Sequence, residues 1–370
     1  MSELYFDPVG SDEAVKSSDT AQGKCASCGG SLVYSPEKQM LSCLYCGSDF
    51  PLELAPADVQ ENDFAALSAH PELWEQEETL IAEVACGQCG AHTTFPENTT
   101  SFSCAFCGTP IVLKASVTRR TWKPEYILPF KIGKTQCDKL LRKWASSLWF
   151  APSGFAKKLL SDKQMKGIYL PYWTYDAETL TNYAGERGVS HVVTQRLNGR
   201  TVSQVVTDWH PVSGTVQYSF DDVLVPASNS LPRDIAAKMT NWDRQNYVTY
   251  NADFVQGFLM ELYRDNFIDS FPAAKKQMET FIRTLVSSDI GGSQQRISRL
   301  DTHFSEIKFK HVLLPVWLSA YRYNNHAYVF AINGRTGQVT GQRPWSAWKI
   351  ATLVIAIATL LALILFAGSG

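Results

Sequence analysis

Residues 25–47, CASCGGSLVYSPEKQMLSCLYCG, and residues 86–108, CGQCGAHTTFPENTTSFSCAFCG, are two copies of one pattern set 61 positions apart. Each copy opens and closes on Cys-x-x-Cys-Gly, with fourteen residues between its two knuckles. Two thiolates on a tight turn, twice over, are what a tetrahedral zinc ion requires. The spacing therefore predicts two structural four-thiolate zinc sites, Cys25/Cys28/Cys43/Cys46 and Cys86/Cys89/Cys104/Cys107. Gly29, Gly47, Gly90 and Gly108 follow the second Cys of each knuckle. A positive φ there costs glycine little and frees backbone N–H groups to face sulfur. Tyr34 aligns with Phe95 and Leu41 with Phe102, the few apolar residues that a metal-centred hairpin can pack.

These zinc ribbons set the domain plan of the 370-residue chain: a disordered polar tail (1–24), ribbon 1 (25–50), an acidic linker (51–85) and ribbon 2 (86–113). An α+β body with antiparallel sheet (114–346) and a transmembrane helix (347–367) follow. In the linker, ELWEQEETLIAEV (72–84) spaces its apolar residues like one side of a helix. Within the body, a helix beginning near Thr135 carries Cys137, Leu140, Leu141, Trp144 and Leu148 on one face, with Cys137 a core thiol. Strands are expected near 178–184, 189–197, 201–209 and 214–225, with a hairpin turn at Asn198-Gly199. Helices are expected at 230–239 and 270–286. Leu170-Pro171-x-Trp173 is matched by Leu314-Pro315-x-Trp317, and a helix precedes each. That repetition predicts a duplicated unit, 114–230 and 231–346.

Residues 350–367 contain no charge, and Trp345 and Trp348 stand where a membrane interface would be. Arg343 and Lys349 precede this span. By the positive-inside rule the bulk of the chain is expected in the cytoplasm, tail-anchored by a single pass. Eight of nine cysteines sit in the knuckles and residues 1–20 lack a secretory signal pattern, which points to a reducing compartment.

The net charge of −2 conceals a split: residues 1–113 hold 17 acids and 3 bases, whereas 114–370 hold 19 acids and 31 bases. The ribbons, poor in Lys and Arg and joined by nine acids without a base, are badly suited to a phosphate backbone. The basic, aromatic stretch 114–166 leaves a membrane-tethered nucleic-acid-binding protein as the alternative. Headgroup proximity, or docking of the chain's own acidic half, is the simpler use of that charge. Enzyme signatures are scarce. Gly133-Lys134-Thr135 looks like the end of a P-loop, but Leu128 stands where the first glycine belongs. His210, His311 and His326 read as structural, and four thiolates per site leave no open metal position. Neither catalytic residues nor a small-molecule substrate are expected.

The Cys-x-x-Cys-Gly pairs, ILPFKI (127–132), KWASSLWFAP (143–152), KGIYLPYWTYDAET (166–179) and YVFAINGRTGQVTGQRP (328–344) together resemble a bacterial family. This is the zinc-ribbon membrane proteins of the YdjG type, whose relatives are often labelled primosomal replication factor Y-like or helicase-like zinc-ribbon proteins. The helicase label finds neither a Walker A loop nor an Asp-Glu-x-His box here. The resemblance implies a non-enzymatic protein of the bacterial inner (cytoplasmic) membrane. It also implies an adaptor or scaffold role in membrane stress, recruiting phage-shock-type or SPFH-type protein partners to the bilayer.

Overall fold

The computed structural model describes residues 23–52, 58–70, 78–95, 101–112, 117–155, 157, 159, 165–197, 200–323 and 326–368. All but two residues of the expected disordered tail, residues 72–77 of the expected linker helix and the Asn198-Gly199 turn lie outside them.

In chain order, ribbon 1 contributes β1 (Leu32–Ser35), β2 (Met40–Cys43) and β3 (Asp49–Pro51). Next come β4 (Asn62–Asp63), α1 (Phe64–Ala69) and β5 (Glu78–Ala85). Ribbon 2 holds β6 (His92–Thr93), β7 (Ser101–Ser103) and β8 (Pro110–Val112). The body follows with β9 (Val117–Trp122), β10 (Tyr126–Ile127), α2 (Lys134–Ser147), β11 (Lys166–Leu197) and β12 (Arg200–Pro226). Its second half contains α3 (Arg233–Ala236), β13 (Val248–Thr249), β14 (Leu259–Met260), α4 (Phe267–Ile290), β15 (Gln294–Tyr323), β16 (His326–Asn333) and β17 (Val339–Gly341). The last helix is α5 (Ala347–Gly368). The class is mixed α+β, mostly sheet.

Three very long strands dominate. β11 has 32 residues, β12 has 27 and β15 has 30. At about 3.3 Å per residue, β11 runs for about 100 Å. They pair antiparallel in the order β12-β11-β15. The sequence reading had divided 178–225 into four short strands; these are segments of two. Glycines that look like breaks stay inside the ladder because neighbours crowd them. A Cβ on Gly185 would strike the Arg296 carbonyl, and one on Gly214 would strike the Tyr183 ring. The ladder is interrupted by register shifts instead, at Tyr175/Ala177 against β12 and at Asp176/Glu178 and Ala184/Gly185 against β15. β15 stops opposite Gly188, so Val189–Leu197 and Arg200–Asp208 continue as a two-stranded arm.

Where the two Leu-Pro-x-Trp segments meet, Leu170 pairs with Leu314. β14 runs parallel to β11 at Ile168–Tyr169, and β10 runs parallel to β15 at Val312–Leu313. The Trp173 indole donates to the Asp265 carbonyl just beyond β14, and the Trp317 indole donates to the Ile132 carbonyl just beyond β10, both at 2.8 Å.

α2 starts at Gly133, not at a Thr135 cap, and buries Cys137, Leu141 and Ala145. α4 is longer than its apolar pattern indicated, because Asn266 caps it by accepting from Asp269 N at 2.8 Å. It lays Ala274, Met278, Ile282, Val286 and Ile290 on the long strands, a stripe with steps of four residues. The expected helix at 230–239 shrinks to Arg233–Ala236.

The described end of the expected linker helix is strand instead. Residues 78–85 form β5, paired with β9. Ile81 and Val84 are drawn into tertiary packing, and Glu83 is buried, so burial overrides the helical spacing. β4 pairs with Lys308–Phe309 of β15, and α1 presses Phe64 against Phe267, Phe271 and Phe309. Phe309 is the centre of this cluster, stacked on Phe267 at 4.1 Å and set edge-on to Trp122 and Trp173. Phe309→Ala should cost about 3–5 kcal/mol in denaturant unfolding of the detergent-solubilised chain.

Candidate metal centres and the buried ion cluster

Both knuckle pairs close on themselves. In ribbon 1, Cys25 and Cys46 sulfurs lie 3.6 Å apart and Cys28 and Cys43 sulfurs 3.5 Å. In ribbon 2, Cys86–Cys107 and Cys89–Cys104 are separated by 3.6 and 3.7 Å. A tetrahedron of sulfurs with metal bonds of about 2.3 Å has edges of about 3.8 Å, whereas a disulfide needs about 2.05 Å. The four sulfurs of each cluster all lie within 4.8 Å of one another. The expected ligands are thus brought together as two four-cysteine clusters able to hold a metal ion.

The local backbone repeats as well. Gly29, Gly47, Gly90 and Gly108 have φ of 72–73°, and each amide donates to the carbonyl of the knuckle's first Cys. Two residues that the sequence reading missed complete the clusters. The Ser48 hydroxyl lies 3.2 Å from Cys46 Sγ and the Thr109 hydroxyl 3.3 Å from Cys107 Sγ. Their signal was present: a hydroxyl residue follows the last knuckle at the same place in both copies. The Ser48 hydroxyl and amide bring Cys46 down to about 6. Burial works to raise Cys107, but the Thr109 hydroxyl and amide outweigh it and bring it to about 7. In contrast, the Gly30 amide favours the Cys28 thiolate, yet Cys46 and Cys43 outweigh it and push that thiol up to about 12. A cation at the centre would relieve this crowding of negative charge.

Ribbon 2 is seated in the body. Cys86, Ala91, Cys104, Ala105 and Phe106 share a buried cluster with Ile168, Val316 and Val329. Thr94 N donates to Met260 O at 2.8 Å, and Thr93 bridges Glu261. Arg264 lies 2.6 Å from His92 Nε2, and His92 Nδ1 lies 2.8 Å from the buried Glu83. With arginine donating, His92 carries its proton on Nδ1 and donates to Glu83. Ribbon 1 is held by its hairpin, not its knuckles. Tyr34 OH and Gln39 Nε2 both donate to Phe130 O, at 3.1 and 2.7 Å. The expected apolar partners Tyr34 and Leu41 are buried, and the last knuckle is not: Leu44 is 68% and Tyr45 78% exposed.

A third group went unnoticed in the sequence because its members are far apart. Glu61, Asp176 and Asp222 offer carboxylate oxygens within 4.8 Å of one another. Lys310, 3% exposed, places its ammonium 2.6 Å from both Glu61 Oε1 and Asp222 Oδ1. That ammonium supplies the positive charge this cluster needs. Burial works to lower Lys310, but Asp222 and Glu61 outweigh it and raise it. Burial, then the shared hydrogen bond with Glu61, pushes Asp176 up to about 7. Burial likewise takes Glu261 up to about 7 against the pull of the Ser230 and Ser228 hydroxyls.

His311 lies in β15, buried, with its ring 4.6 Å from Trp173, and burial drives it down to about 3. Gly133 of the P-loop-like tripeptide is the N-cap of α2, against the Glu37 side chain.

The uncharacterized protein YdjG of Bacillus subtilis (strain 168) is 27% identical over 238 residues, covering 64% of this chain and 68% of its own. No family model matches the chain, and no solved structure matches it.

Lys310→Met leaves buried carboxylates uncompensated and should cost about 3–5 kcal/mol in chemical unfolding. Asp176 and Glu261 both have folded values above their ordinary ones. Their contribution is therefore complete below the ordinary carboxylate range and lost as pH rises through about 7. Their share of stability should fall between about pH 4 and about pH 7 and level off above, and Asp176→Asn or Glu261→Gln should flatten that slope in thermal melts.

Proposed function

We propose that the chain is a non-enzymatic, membrane-anchored adaptor that presents ribbon 1 to a protein partner. The observation that carries this reading is the unequal use of one module. At the last knuckle of ribbon 2, Ala105 and Phe106 are each 3% exposed and packed into the chain's own body. At the same place in ribbon 1, Leu44 and Tyr45 face solvent. An apolar pair on a rigid metal-centred turn is a ready docking knob, and aromatic anchors of this kind dominate protein interfaces. Ribbon 2 acts as the internal precedent for what such a knuckle grips, namely an aliphatic sheet face.

In this reading each four-cysteine cluster holds structural zinc, with four thiolates and no open position for catalysis. α5 is, among the described residues, the one helix long and apolar enough to cross a membrane, and its apolar window has no burial within the protein. It serves as a single-pass anchor in the bacterial cytoplasmic membrane, with the basic flank Arg343 and Lys349 keeping the body in the cytoplasm. Phage-shock-type or SPFH-type proteins are the partner classes that the family resemblance offers. We also read the body as an internal duplication. The support is the Leu170–Leu314 pairing, the reciprocal parallel strands β10 and β14, and the two matched indole–carbonyl bonds.

The nucleic-acid reading has less to stand on. Of the aromatics interleaved in 114–166, Trp122, Tyr126, Phe130 and Phe155 are buried and cannot stack on bases from where they are. Trp149 is the ring there that stands fully out, at 75% exposure.

Two measurements check the adaptor. Elemental analysis should give about two zinc per chain, and Cys43→Ser or Cys104→Ser should each remove one. Leu44→Ser/Tyr45→Ser should abolish recovery of the partner that co-purifies with the wild-type chain from membranes, with zinc content unchanged. Recovery of that partner at wild-type levels by the double variant would refute the docking role of ribbon 1.

A further inference from the structure

The loop that follows α2 is fastened to the first turn of α5. Ser346 N donates to Phe150 O at 2.8 Å. Lys349 Nζ donates to Trp149 O at 3.0 Å and to Ala151 O at 2.8 Å. The Phe150 and Trp345 rings lie 6.2 Å apart, and the Arg343 guanidinium sits over Trp345 at 4.3 Å. A loop pinned by so many contacts has little freedom, yet it holds Trp149 out into solvent. Exposing an indole at a fixed place is costly in water and favourable at a bilayer interface, where the ring is apolar and its N–H stays wet.

Between this ring and α5 lies a cleft of about 330 Å³ lined by Trp149, Lys349, Thr352 and Leu353. Its walls are ordered by polarity. The Lys349 ammonium stands at the body end, with two of its three donors committed to carbonyls among the described residues. Leu353, on the side of the exposed apolar length of α5, stands at the other. The segment of sequence around Trp149 carries charge of one sign: Arg142 and Lys143 on α2 are exposed, and residues 139–161 contain no acid.

We propose that this cleft seats one glycerophospholipid with an anionic headgroup. Its phosphate lies against Lys349, its glycerol region beside the Trp149 ring, and an acyl chain along Leu353. The inference rests on α5 being a membrane span. It adds a specific lipid contact, made partly by the body, that fixes the body's tilt on the bilayer. A protein ligand would not need a cationic group at one end and a continuous apolar helix at the other. An inorganic anion would use the ammonium alone.

The test uses the full chain, purified in detergent and titrated with phosphatidylglycerol or phosphatidylcholine while lipid-bound species are counted by native mass spectrometry. Wild type should retain one phosphatidylglycerol with preference over phosphatidylcholine. Lys349→Gln and Trp149→Ala should each weaken that lipid about five-fold, while Lys349→Arg and the distant Arg299→Gln should not. Unchanged phosphatidylglycerol affinity in Lys349→Gln would overturn the proposal, and so would displacement of the lipid by inorganic phosphate. Alkaline carbonate extraction of native membranes separates the two levels. Release of the chain would overturn the span and the cleft together. Retention with unchanged lipid affinity in the variants would overturn the cleft alone.

Discussion

Antiparallel pairing of β11 with β15, in the stretch where Leu170 faces Leu314, fixes where almost every other element can go. Two strands buried on both faces must be covered on both, and their outer edges must find partners within the chain. Here the short strands β14 and β10 take those edges beside the pairing centre, and β12 and β16 take them further out. The tryptophans of the two Leu-Pro-x-Trp segments then find acceptors at equivalent places, because each indole must be satisfied once it is buried. α4 covers one length of the long strands, and the ribbons and α2 close what remains.

The ribbons follow from that arrangement. A module of about two dozen residues built around four cysteines has no core of its own worth the name, so its stability depends on whatever it leans on and on any ion the cysteines hold. Ribbon 2 leans with its knuckle, which places Cys104 and Phe106 in the body's apolar interior. Ribbon 1 leans with its hairpin through Tyr34 and Gln39, which turns its knuckle outward. Identical spacing in sequence thus supports opposite exposures, and the difference lies in the receiving surface rather than in the cysteines.

That difference also marks what could be read from the chain alone. The cysteine clusters are local: four cysteines and two glycines within a few turns define each, and they were legible apart from the Ser48 and Thr109 hydroxyls. α2, α4 and α5 were legible as amphipathic or apolar runs, although their ends depended on Gly133 and Asn266 acting as caps. The long strands were not. Gly185, Gly188 and Gly214 carry turn chemistry in any local reading, and it takes Arg296, Gln294 and Tyr183 from distant segments to show why only glycine fits. The 78–85 segment failed for the same reason, since helical spacing there competes with a strand partner, β9, that only tertiary structure supplies. Among the described residues the cluster around Lys310 had no local signal at all, because Glu61, Asp176, Asp222 and Lys310 come from four separate stretches.

The charge split can be understood on the same terms. An excess of acid in the first third and of base in the remainder would look, from composition, like two surfaces awaiting different partners. One part of it is internal. β4 and α1 strap the acidic segment 58–70 across β15, bringing Glu61 onto Lys310 and setting Asn62 against Glu125 and Phe309. A buried ion cluster contributes little net stability over a wholly apolar replacement of all its members, but it penalises any register in which the strap is shifted by a residue. The ion cluster is therefore better seen as a fastener that specifies where the segment between the two ribbons must cross the sheet. With that crossing fixed, ribbon 1 and ribbon 2 are held at separate places on one body. The outward face of ribbon 1 is then a consequence of the strap as much as of its own sequence.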